Sequence, residues 1–75
     1  MIERMPVESS NLASVGYDEN AEILEVEFRK GGSVYRYMNV PQIEFERLMN
    51  AHALGSTHGK YFSANIRNAY PNEKA

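Results

Sequence analysis

The sequence predicts an α+β fold: a three-stranded antiparallel β-meander covered on one face by a main α-helix and a short C-terminal helix. Two segments of alternating apolar and polar residues flank Gly31-Gly32, as in a β-hairpin. A stripe of apolar residues at helical spacing follows Pro41. A second apolar pair, Phe62 and Ile66, lies four residues apart and indicates the short helix.

The central hairpin is predicted to run from Glu22 to Val40. Because glycine readily adopts the positive φ that tight turns require, a two-residue glycine loop would pair Phe28 with Tyr35. The same register places Glu27 opposite Arg36 as an ion pair. Alternate residues then form one apolar face, which we expect to be the core. The hairpin residues of this face are Leu24, Val26, Phe28, Tyr35 and Tyr37.

A first strand is predicted to begin at Leu12 and to end at a four-residue loop, Asp18 to Ala21. This loop length pairs Tyr17 with Glu22. The strand residues then placed on the apolar face are Ala13, Val15 and Tyr17. Gly16 has no side chain to pack in the middle of the strand, which is typical of a bulge or of close approach by another backbone.

The main helix is predicted from Pro41 to about Ala53, because proline suits the first helical turn. Its apolar stripe consists of Phe45, Leu48, Met49 and His52. Gly55 is a favourable left-handed stop, and Ser56 or Thr57 is available to cap the short helix that follows.

A chain of 75 residues forms a single domain, which is predicted over residues 7–71. Residues 1–6 are expected to be an N-terminal arm and residues 72–75 a frayed tail. The lack of cysteine fits a reducing compartment, and the sequence shows neither a signal-peptide pattern nor an apolar run of membrane-spanning length. We therefore expect a cytoplasmic protein that does not bind membranes.

Neither a catalytic centre nor a metal site is predicted. His52 and His58 are the only histidines, and their spacing does not place two ligands on one helical face. No nucleophile and base with a third orienting group can be identified. The chain is therefore expected to be non-enzymatic and to need no cofactor.

Two short segments combine aromatic and basic residues. Tyr35 and Tyr37 flank an arginine on one strand, which is typical of a stacking platform for bases, but their place beside Phe28 favours a core role. Farther along the chain, Lys60 and its neighbours lie close to a helix N-terminus, which attracts anions. The outward residues there are predicted to be Lys60, Tyr61 and Arg67; the alternative interpretation is an ordinary amphipathic cover.

The opposite face of the hairpin also carries apolar residues, namely Ile23, Val34, Met38 and Val40. Apolar groups on a face meant for water indicate a protein partner, a homodimer contact, or cover by the N-terminal arm. We expect this face to be at least partly occluded.

The chain resembles the KTSC domain family, which occurs at the C-terminus of some lysyl-tRNA synthetases and as free-standing bacterial and phage proteins. The segments that carry the resemblance are Val15-Gly16-Tyr17-Asp18, Val34-Tyr35-Arg36-Tyr37, Val40-Pro41 and Gly59-Lys60-Tyr61-Phe62. The family has no established function, and its occurrence in synthetases implies RNA binding. Carried onto this sequence, that role would fall on Tyr35, Arg36, Tyr37, Lys60, Tyr61 and Arg67.

Two functional classes follow. The first is a small RNA-binding, tRNA-associated module that uses Arg36, Lys60, Tyr61 and Arg67. The second is a protein-interaction or homodimerisation module that uses Ile23, Val34 and Met38. The net charge of −2 favours the second class, since nucleic-acid-binding modules are usually basic, whereas the family resemblance favours the first.

Overall fold

The computed structural model describes residues 2–75. Its elements are β1 (Arg4–Pro6), β2 (Leu12–Asp18), β3 (Ile23–Phe28), β4 (Val34–Tyr37), α1 (Gln42–Met49), α2 (His58–Asn65) and β5 (Asn72–Lys74). The strands form one antiparallel sheet in the order β1-β2-β3-β4-β5. The α+β class with two helices and an antiparallel sheet is confirmed, but the sheet has five strands and not three.

The two additional strands come from the ends of the chain. Arg4 pairs with Gly16 at one edge of the sheet, and Asn72 pairs with Tyr37 at the other. Residues 2–6 of the predicted arm and the predicted frayed tail therefore contribute edge strands, while Met1 lies outside the described residues. Backbone hydrogen bonds hold such short strands, and these bonds leave no signal in the hydropathy pattern.

The β3–β4 turn is longer than predicted. The Phe28 amide donates to the Ser33 carbonyl at 2.8 Å, and Val26 pairs with Tyr35 where Tyr37 was expected. The two residues before the glycines join the turn, so the loop has four residues, and both glycines have positive φ. A register shift of two residues keeps every side chain on its face, so the apolar face persists.

The β2–β3 hairpin is shifted in the same way. Tyr17 pairs with Leu24 rather than with Glu22, which takes a positive φ of 56° in the turn. A bulge between Leu12 and Ser14 changes the side-chain alternation at the start of the strand. As a result Leu12, where Ala13 was expected, is fully buried in the core.

Gly16 marks a close approach of two backbones. A Cβ atom at this position would lie 2.5 Å from the Glu3 carbonyl oxygen and 2.8 Å from the Ile2 side chain. The absence of a side chain therefore allows the N-terminal segment to lie against β2.

Both helices cover the apolar face of the sheet. Phe62 of α2 packs edge-to-face against Phe28 at 5.7 Å and against Tyr37 at 5.3 Å between ring centroids. The largest fully buried side chains of the core are Leu12, Val15, Leu24, Val26, Val40, Leu48, Phe62 and Ile66. No helix among residues 2–75 is long and apolar enough to cross a bilayer.

The helix boundaries differ in detail from the prediction. α1 ends at Met49, so His52 lies beyond it and is exposed instead of completing the apolar stripe. Thr57 caps α2, because its hydroxyl accepts a hydrogen bond from the Lys60 amide at 3.1 Å. Glu44 of α1 accepts hydrogen bonds from the hydroxyls of Tyr61 and Tyr70. These bonds link α1 to α2 and to the segment that precedes β5.

Candidate functional site

An aromatic cleft opens between the C-terminal end of α2 and the β3–β4 hairpin, with a volume of about 390 Å³. We define it by Phe28, Lys30, Tyr35, Tyr37, Arg67 and Asn72. A neighbouring depression of about 400 Å³ shares three of these residues and extends to Ser10 and Asn11. The two therefore form one continuous groove along this side of the domain.

The floor of the cleft is aromatic because strand alternation directs three rings to the same face. Phe28 and Tyr35 are half-buried, with centroids 5.7 Å apart and planes at 77°. Tyr37, farther inside, is only 3% exposed. The two outer rings thus remain available to an aromatic or apolar ligand group.

Two cations border these rings. Lys30 lies in the hairpin loop and Arg67 follows α2; both are exposed, and neither forms a salt bridge within residues 2–75. Lys74 lies opposite Tyr35 on β5. No carboxylate of the described chain lines the groove. The groove is therefore locally basic on a protein of net charge −2.

Hydroxyl and amide groups complete the lining and can hydrogen-bond the edges of a base. They belong to Ser10, Asn11, Ser33, Ser63, Asn68 and Asn72. The Tyr37 hydroxyl forms no hydrogen bond with any residue of the described chain. Burial raises the pKa of Tyr37, and the positive charge of Arg67 acts in the opposite direction.

The residues predicted to bind nucleic acid do not come together. Only Arg67 lines the cleft. Arg36 lies on the other face of the sheet, where its Nε donates to Glu25 at 2.9 Å. The Tyr61 hydroxyl donates to a carboxylate of α1, and Lys60 is exposed in the first turn of α2.

The tyrosine pair combines two roles that the sequence presented as alternatives. Tyr37 belongs to the buried core, Tyr35 packs against that core, and both line the cleft. Sequence reasoning missed Lys30 as a cleft residue. The signal was its position beside the glycine turn, where a basic side chain lies at the end of the apolar face.

A buried carboxylate organises the opposite face of the sheet. Glu25 accepts hydrogen bonds from Arg4 and Arg36. The Ser14 hydroxyl accepts from Arg4 Nε at 2.9 Å and donates to Glu27 at 2.9 Å. The predicted Glu27–Arg36 ion pair is therefore wrong, because the shifted register places Glu25 opposite Arg36.

Of the apolar residues expected on this outer face, Ile23, Val34 and Met38 are half-buried, whereas Val40 is fully buried in the core instead. Ile2 and Val34 line one depression on this face, and cover by the N-terminal arm stays a prediction. A protein partner or a homodimer contact at these residues stays a prediction.

The fold and the cleft define a small α+β domain with a basic, aromatic groove. The family model described as the KTSC domain matches residues 8–70, and the chain belongs to the KTSC domain family. The resemblance expected from the sequence is thus confirmed.

Solved and curated relatives agree with this assignment. A KTSC domain protein from Yersinia pestis, known from a crystal structure, is similar with a TM-score of 0.89 and 32% identity, over 100% of this chain and 99% of that chain. An uncharacterized protein from Stutzerimonas stutzeri is 41% identical over 61 residues, which are 81% of this chain and 84% of the relative. A protein from Tsukamurella paurometabola is 42% identical over 50 residues, 67% of this chain and 73% of the relative.

Proposed function

We propose that this domain is a non-enzymatic module that binds single-stranded RNA in the aromatic cleft. One observation carries the proposal: Lys30 and Arg67, two cations without carboxylate partners, border half-buried aromatic rings in a single groove. Unpaired bases pack on aromatic side chains while their phosphates are attracted to cations. Both requirements are met within one cleft.

The size of the cleft favours an unpaired strand over a duplex. A volume of about 390 Å³ suits a ligand about as large as a nucleotide. A duplex keeps its bases stacked inside and offers mainly its phosphates and sugars, so the aromatic floor would find no partner.

The small number of cations sets the expected salt dependence. Each phosphate neutralised on a single strand contributes about −0.7 to the slope of log K against log salt. Two cleft cations therefore predict a slope of about −1.4. A much steeper slope would indicate that charges outside the cleft dominate binding.

The test is a titration of a labelled single-stranded oligoribonucleotide, followed by fluorescence anisotropy at several salt concentrations. A Lys30→Ala/Arg67→Ala variant should bind about tenfold more weakly or worse. A matched Arg47→Ala/Lys60→Ala variant removes the same charges from exposed positions outside the cleft and should bind like the wild type. Equal losses in the two variants, or a wild-type protein that does not bind the oligonucleotide, would contradict the proposal.

A further inference from the structure

We infer that the Tyr37 hydroxyl and the Arg67 guanidinium form a phosphate-binding subsite on the floor of the aromatic cleft. This inference rests on the proposed function and specifies which group of an unpaired ribonucleotide the floor binds. The phosphate would accept a hydrogen bond from Tyr37 and pair with Arg67, while the base packs against Phe28 and Tyr35.

The first argument is the missing partner of the Tyr37 hydroxyl. Its ring is fixed, because Tyr37 pairs with Leu24 and Asn72 in the sheet and packs edge-to-face against Phe62. Only 3% of the residue is exposed, yet it lines the cleft and its hydroxyl has no hydrogen-bond partner within residues 2–75. Water in the cleft can reach this hydroxyl, and an acceptor that enters the cleft would replace that water as its hydrogen-bond partner.

Other tyrosines of the chain show what a satisfied hydroxyl looks like. Tyr17 donates to the Val40 carbonyl at 2.5 Å, and Tyr61 and Tyr70 both donate to Glu44. Tyr37 is the most deeply buried of the five tyrosines, and it lacks such an acceptor. Three less buried tyrosine hydroxyls thus have an acceptor in the protein, whereas the Tyr37 hydroxyl at the floor of the cleft has none within residues 2–75.

The second argument is charge. Arg67 lines the same cleft, and its positive charge acts on the Tyr37 hydroxyl. No carboxylate of the described residues lines the groove to neutralise that charge. An acceptor that satisfies both groups is an anion, and phosphate accepts hydrogen bonds from a hydroxyl and from a guanidinium at the same time.

The experiment compares 5′-AMP, adenosine and inorganic phosphate as ligands, titrated into the full chain and followed by NMR chemical shifts. The Tyr37→Phe variant removes only the hydroxyl and should weaken AMP binding about tenfold. Adenosine, which lacks the phosphate, should bind wild type and Tyr37→Phe equally. The matched variant Tyr17→Phe loses a hydroxyl outside the cleft and should bind AMP like the wild type.

Stability measurements separate binding from folding. Because the Tyr37 hydroxyl has no internal partner, Tyr37→Phe should unfold in urea at the wild-type midpoint or above it. AMP should also bind at least about tenfold more tightly than inorganic phosphate, since only AMP offers a base to the outer rings.

The possible results separate the two proposals. AMP binding that is absent, or unchanged in Tyr37→Phe, would overturn the subsite; the cleft function would still stand if oligoribonucleotide binding is lost in Lys30→Ala/Arg67→Ala. Equal affinity for AMP and inorganic phosphate would overturn the assignment to a nucleotide. A Tyr37-dependent AMP site in a protein that ignores oligoribonucleotides would support the subsite and refute the RNA function.

Discussion

Glu25 lies opposite Arg36 on the neighbouring strand and accepts a hydrogen bond from its Nε at 2.9 Å, although Glu25 is only 4% exposed. Arg4 reaches the other carboxylate oxygen from β1, across Gly16, which lies between Arg4 and Glu25 in the sheet register. Gly16, which has no side chain, thus lies where the Arg4 guanidinium crosses β2 to reach the buried Glu25 carboxylate.

Removing the charge of Glu25 should destabilise the fold. Glu25→Gln keeps the size of the side chain but leaves two guanidinium groups without their anion, and we expect a loss of about 1–3 kcal/mol in the free energy of unfolding. Urea denaturation at neutral pH measures it. Glu46→Gln, at an exposed helix position, is the control and should change stability by no more than about 0.5 kcal/mol.

The same carboxylate should make stability depend on pH. Burial alone would raise the pKa of Glu25, but the hydrogen bonds and charges of Arg36 and Arg4 prevail and lower it. Because the folded pKa lies below the unfolded value of about 4.3, Glu25 contributes stability above that pH and loses it as pH falls through the folded pKa. Urea midpoints measured on the acid side should therefore fall more steeply in wild type than in Glu25→Gln; parallel curves would refute this.

A methyl group at position 16 should displace the N-terminal segment. The added Cβ of Gly16→Ala would lie 2.5 Å from the Glu3 carbonyl oxygen, so we expect a cost of about 1–3 kcal/mol and faster amide exchange in β1. The control is the same substitution in a chain that lacks residues 1–3, where the clash is gone and the cost should shrink below about 0.5 kcal/mol. An equal cost in both backgrounds would place the strain elsewhere.

The N-cap of α2 offers a local test. Thr57→Ala removes the acceptor of the Lys60 amide and should cost about 1 kcal/mol, whereas Thr57→Ser keeps the hydroxyl and should cost little. Thermal unfolding of the two variants measures the difference. Identical melting temperatures would show that the cap contributes nothing in this context.

The apolar face could be predicted because it depends on a period of two, and a register error of two residues leaves that period intact. Phe28 and Tyr35 therefore lie where the sequence indicated, although they are no longer directly paired. The ion pair was wrong for the converse reason: it required the exact partner of Arg36, which the turn length decides. Turn length depended on whether the residues before Gly31 joined the loop, and hydropathy carries no information about that.

The edge strands and most of the cleft lay beyond sequence reasoning. Asn72 and Lys74 reach the sheet through backbone pairing alone. Arg67 was predicted as a ligand-binding residue from its outward position on the short helix. Its association with Lys30 arises only because the end of α2 packs near the hairpin loop, and no local pattern records a contact between such distant segments.

The strands lie in the sheet in the same order as in the chain, and this order suggests the sequence in which they pair during folding. The first four strands can assemble through short turns, whereas β5 must return from beyond both helices, and closing a longer loop costs more chain entropy. Since Asn72 on β5 forms part of the cleft wall, the groove is complete only when β5 has paired with β4. A newly synthesised chain would thus acquire its hydrophobic interior first and the complete wall of the groove last.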